Sequence, residues 1–217
     1  MSRKRVYRRI ARFYDFLDSP FERRLYRPIR KIVFAGTHGR ILDAGVGTGR
    51  NMPFYPPASD VVAIDLSPQM LDRARQRQAQ LGVDATLAVM DATATDFPDG
   101  TFDYVIATFL FCVLDEDDQL PALRELRRIC KPQGEIRLLE YTYSRNRWRR
   151  LVMRLWAPWV RLMYGAAFDR QTARYIGPAC LVLVEERFVY EDIIKLLVLR
   201  PRQACAVGRR EPAAAEP

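Results

Sequence analysis

The sequence predicts an α/β protein built on a doubly wound, mostly parallel sheet, and three observations lead there. A short apolar run enters a glycine-rich turn at residues 41–51, ILDAGVGTGRN. Three further runs of strand character follow, at residues 61–65, 85–90 and 102–107. All four end in polar or small residues, so Asp43, Asp65, Asp91 and Thr108 fall at the strands' carboxyl ends, the edge where ligands bind in open α/β sheets.

The chain opens with a basic amphipathic helix that sets Tyr7, Ile10, Tyr14 and Leu17 on one side, flanked by Arg5, Arg8, Arg9 and Arg12. Ser19-Pro20-Phe21-Glu22 has the form of a capping box for a second short helix reaching about Val33, bent at Pro28. The first strand then runs into Gly45, Gly47 and Gly49, with Asp43 two places ahead. Such glycines let the backbone turn tightly and approach a ligand, and a nucleoside is the natural occupant. A dinucleotide fingerprint would need its third glycine where Arg50 stands, and Asp43 would repel a pyrophosphate, so a cationic ligand fits better. The second strand ends at Asp65, placed to accept hydrogen bonds from ribose hydroxyls. Ser67 and Pro68 open a helix as N-cap and first-turn residue, with Met70 and Leu71 on its inner face.

Together these segments resemble the class I S-adenosylmethionine-dependent methyltransferases. The matching stretches are DAGVGTG at residues 43–49, VVAIDLSPQML at 61–71, MDATATDFPDGTFDYVIATF at 90–109 and LRELRRICKPQGEI at 123–136. The last corresponds to the family's helix, turn and fifth strand, with Gln133-Gly134 where two glycines are more usual. The resemblance implies a seven-stranded Rossmann-like sheet with S-adenosyl-L-methionine as cofactor. It implies that Asp43, Ala44, Gly45, Gly47, Gly49 and Asn51 face the cofactor's methionine end, and that Asp65 and Leu66 hold the ribose. Asp91 and Ala92 would take the adenine, Met70 would cover it, and Thr108 and Phe109 would lie beside the methionine tail. Within the family the chain is most similar to small bacterial phospholipid N-methyltransferases, through VYRRIARFYDFLDSPFERRLYRP at 6–28, GVGTGRNMPFYP at 45–56 and FPDGTFDYVIATFLFCVLD at 97–115. Methyltransferases of quinone precursors, and membrane-associated thiol methyltransferases, are further relatives. Tyr141 stands where the thiol group tends to have histidine, which counts against a thiol acceptor.

With 217 residues, 49% of them hydrophobic, the chain can bury one sizeable core. The expected division is 1–33 for the basic helices, 34–207 for a methyltransferase domain with an amphipathic insertion at 145–165, and 208–217 for a disordered tail. Cys112, Cys130, Cys180 and Cys205 contain no CxxC pair, so neither a zinc site nor a disulfide framework is expected, and a reducing cytosol fits. His38 reads as a surface residue. No run reaches the roughly twenty apolar residues of a membrane span, and no secretory leader is apparent.

The net charge of +9 is unevenly spread. Residues 1–31 hold eleven Lys or Arg against three acids, and residues 145–161 hold six arginines and no acid, which leaves the rest of the chain acidic. In the later segment Trp148, Leu151, Val152, Leu155, Trp156, Trp159, Val160 and Met163 follow helical spacing, and Pro158 is expected to kink the helix. All three tryptophans of the chain lie there. A basic helix with Trp and Leu on its apolar side fits an anionic membrane surface. Nucleic acid is not expected as a partner, because these aromatics share a register with Leu and Val and no base-methylation motif occurs. Oligomeric state is not legible.

An amine acceptor must lose a proton before it attacks, and the candidates are Tyr14, Tyr26, Glu140 and Tyr141. Tyr143, Arg145 and Arg147 are candidates for binding the substrate, the tyrosine by cation–π attraction and the arginines through the phosphodiester. The expected reaction is stepwise N-methylation of phosphatidylethanolamine toward phosphatidylcholine at the inner face of the cell membrane. The alternatives are methylation of a quinone precursor or a small thiol, and a non-catalytic membrane-binding protein on the same scaffold.

Overall fold

A computed structural model describes residues 25–164 and 167–203, without the side chains of 162–164. The first basic helix, the capping box, Tyr14, Cys205 and the tail lie outside the described residues. The chain begins with α1 (Arg27–Phe34), followed by β1 (Arg40–Ala44), a 3-10 turn (Met52–Phe54), β2 (Asp60–Asp65), α2 (Pro68–Leu81) and β3 (Thr86–Val89). Then come β4 (Phe102–Thr108), α3 (Glu116–Ile129), β5 (Cys130–Tyr141), α4 (Arg147–Tyr164), the short α5 (Ala173–Ile176), β6 (Leu181–Tyr190) and β7 (Ile194–Pro201).

These strands form one seven-stranded sheet in the order β3-β2-β1-β4-β5-β7-β6. The first five are parallel, and β7 runs antiparallel to both β5 and β6. The chain leaves β1 toward β2 and β3, then returns to place β4 on the other side of β1. That reversal opens a crevice at the carboxyl ends of β1 and β4, where such sheets receive ligands. The alternation of each strand divides the core. Leu42, Val105, Leu138 and Leu197 pack with Leu123 and Leu126 of α3 on one face, and Ile41, Ile106 and Leu139 pack with Ile29 and Val33 of α1 on the other.

The expected strands and the α2 cap are present: Ser67 Oγ accepts from the Met70 amide at 3.4 Å, and Gly82 closes the helix in the left-handed region. Pro28 sits in the first turn of α1 rather than bending its middle, where its missing N–H is no loss. No separate turn divides α3 from β5, contrary to expectation. Cys130 already pairs with Phe102, and pairing resumes at Tyr104 with Glu135, so residues 131–134 bulge opposite Asp103 alone. The Asp103 carboxylate accepts from Lys131 Nζ at 2.7 Å and from the Arg40 amide at 2.9 Å, which pins the bulge. Cys180 is disulfide-bonded, whereas Cys112 and Cys130 are buried thiols. Burial pushes both thiols up to about 12.

The amphipathic insertion is one helix, α4, which continues through Pro158. Asn146 Oδ1 accepts from the amides of Trp148 and Arg149, which starts it as an N-cap. Ser144, the Arg145 amide and Arg149 all bond Asp192 in the turn between β6 and β7. These bonds hold the Asp192 carboxyl at about 2, with the Ser144 hydroxyl contributing most. The helix is thus fixed to the sheet by its first turn, and its apolar side is left uncovered: Trp148 is 78% and Leu155 73% exposed, with Leu151, Val152, Trp156 and Trp159 also exposed. Among the described residues, no helix is long and apolar enough to cross a membrane.

Candidate functional site

A cavity of about 490 Å³ opens at the crevice between β1 and β4. Its walls are the glycine loop after β1, the end of β2 with the start of α2, the segment after β3, and Thr108 at the end of β4 with Phe109 and Leu110 beyond it. Of the residues expected to hold a cofactor, Gly45, Gly47, Asp65, Leu66, Met70, Asp91, Ala92, Thr108 and Phe109 line it. Asp43, Ala44, Gly49 and Asn51 do not. Gly49 serves packing instead, since a Cβ there would come within 2.9 Å of Met52 and 3.3 Å of the Ala74 backbone of α2. Gly47, with φ +56°, has nothing within 4 Å of where its Cβ would be and leaves the cavity wall open.

Asp65 is held by the backbone: the Gly47 amide donates to Oδ2 at 2.9 Å and the Ser67 amide to Oδ1 at 2.8 Å. Burial raises its carboxyl above the ordinary value, and these two amides oppose the rise. Asp91 Oδ1 accepts from the amide and hydroxyl of Thr93, which folds the segment after β3.

Asp43 belongs behind the loop rather than in its mouth, because on β1 it points to the α1 face of the sheet, where it is fully buried. Tyr55 OH donates to its Oδ2 at 2.6 Å, and Asn51 Nδ2 donates to both oxygens at 2.9 and 3.0 Å. Arg30 of α1 reaches the same network: Nη1 donates to Asn51 Oδ1 at 2.6 Å and to Thr108 Oγ1 at 3.2 Å, and Asn51 Nδ2 also reaches Thr108 Oγ1 at 2.9 Å. Burial lifts the Asp43 carboxyl to about 6, and Tyr55, Asn51 and Arg30 pull the other way. Arg137 of β5 fixes α1 in place by donating to the carbonyls of Val33 and Ala35, both at 2.7 Å. Asp43 therefore orients Asn51, and with Arg30 orients Thr108, whose side chains meet at the cavity's edge.

An aromatic cluster continues from the cavity. Phe109, at the strained φ of 57°, stacks on Tyr141 at 4.7 Å and meets Tyr26 edge-on at 5.5 Å. Tyr141 OH donates to Tyr26 OH at 2.5 Å, and Phe168 abuts both Tyr141 and Tyr143. Tyr26, Tyr141 and Tyr143 are thus brought together. Glu140 is not: alternation along β5 turns it to the opposite face, where it is 2% exposed and Oε1 has no hydrogen-bond partner among the described residues. Burial raises its carboxyl to about 7, opposed by a bond from Thr172. Arg145 lies over the Phe188 ring at 5.6 Å, and Arg147 is exposed on the first turn of α4, so neither touches the cavity.

Arg30, Tyr55 and Phe168 are not legible as site residues in the sequence. Arg30 read as one more charge on a basic helix. Tyr55 lay in a proline-rich stretch, where only its distance of twelve residues from Asp43 was visible. Among the described residues, no group of three or more His, Cys, Asp or Glu could hold a metal.

Residues 41–134 match the family described as "Methyltransferase domain". The phosphatidylethanolamine N-methyltransferase of Cereibacter sphaeroides is 40% identical over 105 residues, which cover 48% of this chain and 51% of that protein. The ubiquinone/menaquinone biosynthesis C-methyltransferase UbiE of Burkholderia mallei is 29% identical over 145 residues, 63% of this chain and 59% of that protein. The chain therefore spans about half the length of these curated relatives. Among solved structures, a putative methyltransferase from Bacillus halodurans matches with a TM-score of 0.66 at 16% identity, covering 81% of this chain and 98% of that one. The geranyl diphosphate C-methyltransferase of Streptomyces coelicolor matches with a TM-score of 0.64 at 14% identity, covering 82% and 81%. These structures establish the fold.

Proposed function

We propose that this chain, whose residues 41–134 match a methyltransferase domain, uses S-adenosylmethionine to methylate the amine of phosphatidylethanolamine, stepwise toward phosphatidylcholine, from the inner surface of an anionic membrane. The observation that carries the lipid part is the exposed apolar side of α4, flanked by arginines and fixed by its first turn to the same sheet as the cavity. A helix with Trp and Leu uncovered and basic residues beside them gains free energy by lying at the headgroup level of a bilayer. The relative from Cereibacter sphaeroides supports the same reading.

The cavity suits the cofactor. Asp65 and Asp91 line it on the side read as taking ribose and adenine, Met70 offers an apolar cover, and Gly47 leaves room for close approach. Arg30 puts a cation at one edge of the cavity, where it would meet the cofactor's carboxylate, and Asn51, itself anchored by Asp43, keeps that arginine in place. When bound, the cofactor supplies an electrophilic methyl on a positively charged sulfur. The amine nitrogen must approach that methyl in line at about 3 to 3.5 Å, and holding it there supplies most of the acceleration. An alkylammonium with a pKa of about 10 must first release its proton. The hydroxyl pair of Tyr26 and Tyr141, with Tyr141 stacked on Phe109, offers a path for that proton to water.

The reading is tested by incubating the full chain with labelled S-adenosylmethionine and vesicles containing phosphatidylethanolamine. Label is expected in mono- and dimethylated phosphatidylethanolamine and then in phosphatidylcholine. The quinone reading is favoured by the longer alignment with UbiE. Label confined to a quinone precursor or to small thiols would defeat the phospholipid assignment.

A further inference from the structure

Tyr143 and Phe168 have no part in the steps above, and with Tyr141 their rings form an open angle. Tyr141 and Phe168 meet at 88° with ring centroids 5.5 Å apart, and Tyr143 and Phe168 at 60° and 5.9 Å. None of the three is fully buried, and Tyr143 and Phe168 belong to none of the three core clusters. Through Tyr141 the angle adjoins Phe109, which lines the cofactor cavity. Burial raises the Tyr143 hydroxyl above its ordinary value, Asp169, which follows Phe168, adds to the rise and Arg154 of α4 opposes it, and both charged residues are exposed.

We infer that this corner is the acceptor's headgroup site, with the three rings and Asp169 receiving the alkylammonium and Arg154 receiving the phosphate of a zwitterionic amino-phosphate head. The inference rests on the phospholipid reading and adds to it a preference among methylation states. An ammonium is drawn to ring faces, and each methyl group it gains lowers its cost of leaving water, so aromatic sites recognise quaternary ammonium best. The site therefore holds a mono- or dimethylated head more tightly than the primary amine, which keeps intermediates beside the cavity between transfers. Arg154 lies on the helix proposed to rest on the bilayer, where the phosphate of a lipid head is found.

The test uses the full chain with S-adenosylhomocysteine, titrated in a calorimeter with phosphoethanolamine, phosphocholine and tetramethylammonium. Phosphocholine is expected to bind more tightly than phosphoethanolamine. Phe168→Leu should weaken phosphocholine and tetramethylammonium alike, by about two- to thirtyfold. Arg154→Gln should weaken phosphocholine by about tenfold and leave tetramethylammonium unchanged. Both variants should keep wild-type affinity for S-adenosylhomocysteine, which shows that they are folded. Wild-type phosphocholine binding in Phe168→Leu, or equal losses for both probes in Arg154→Gln, would overturn the inference. Methyl transfer to vesicle phosphatidylethanolamine with a raised KM in Phe168→Leu supports a lipid head as occupant, whereas transfer to soluble phosphoethanolamine alone removes the lipid from the assignment. If the wild type methylates neither but binds phosphocholine as described, the proposed function fails and the site stands.

Discussion

Asp43 and Glu140 are both buried acids at one edge of the sheet, on opposite faces and with different surroundings. Asp43 has three hydrogen bonds from donors, so an Asp43→Asn amide would set its own N–H₂ against Tyr55 OH or Asn51 Nδ2. One buried donor would then lack an acceptor, at a cost of about 1–3 kcal/mol in urea unfolding. Weaker S-adenosylmethionine binding should accompany it, because Asn51 and Arg30 would lose their anchor. Glu140 has the poorer satisfaction, with Oε1 unpartnered among the described residues. Its carboxyl moves from an ordinary 4.5 when unfolded to about 7 when folded, so the native state favours the protonated form. That preference is fully present below pH 4.5 and is lost as pH rises through 7. Glu140→Gln removes the buried charge, so the variant should be more stable than wild type by about 1–3 kcal/mol at pH 8 and nearly equal to it at pH 4. Equal stabilities at both pH values would show that Glu140 is already relieved by its neighbours.

Among the elements, α4 yields the most direct prediction. Trp148 and Leu155 are its most exposed apolar residues, so replacing both with Ser removes little packing, and unfolding should shift by no more than about 0.5 kcal/mol. In a bilayer interface the same side chains are worth about 1.5–3 kcal/mol each, so partition into vesicles should fall at least about tenfold. Unchanged co-sedimentation would assign that face to a different partner. What the sequence shows of these elements is local. Alternating and helical periods located β1, β2, β4, α2 and α4, and the polar residues closing each strand marked the ligand edge. Contacts between residues far apart in the chain were not legible. Arg30 meets Thr108 across 78 residues and Tyr26 meets Tyr141 across 115, and no spacing rule pairs them. The side of β1 that Asp43 occupies is not legible for a related reason: a glycine-rich motif gives the path of the loop but not which face of the strand the acid takes. The α3–β5 junction was misread because Gln133-Gly134 signals a turn, and a bulge against Asp103 uses the same residues without leaving the sheet.

On the scale of the molecule, the chain joins basic segments to a body with an acidic surplus, and the separation can be measured through salt. Of the six arginines in residues 145–161, Arg149 is paired with Glu191 and Asp192, Arg150 donates to the Ser144 carbonyl, and Arg145 lies over Phe188. Arg147, Arg154 and Arg161 are exposed on α4. A basic residue near an anionic leaflet contributes about 1 kcal/mol, and its reach shrinks with the Debye length, from about 10 Å at 0.1 M salt to about 3 Å at 1 M. Arg147→Gln and Arg161→Gln, which leave the proposed headgroup residue in place, should each weaken binding to anionic vesicles about fivefold at low salt, and the loss should fade at 1 M. Neutral vesicles should not distinguish the variants from wild type, because only the apolar side of α4 then acts. Cofactor affinity should remain the same throughout, since neither residue reaches the cavity. A loss of equal size on neutral vesicles would mean that these arginines shape the helix rather than sense charge, and the anionic surface would have to be withdrawn as the partner.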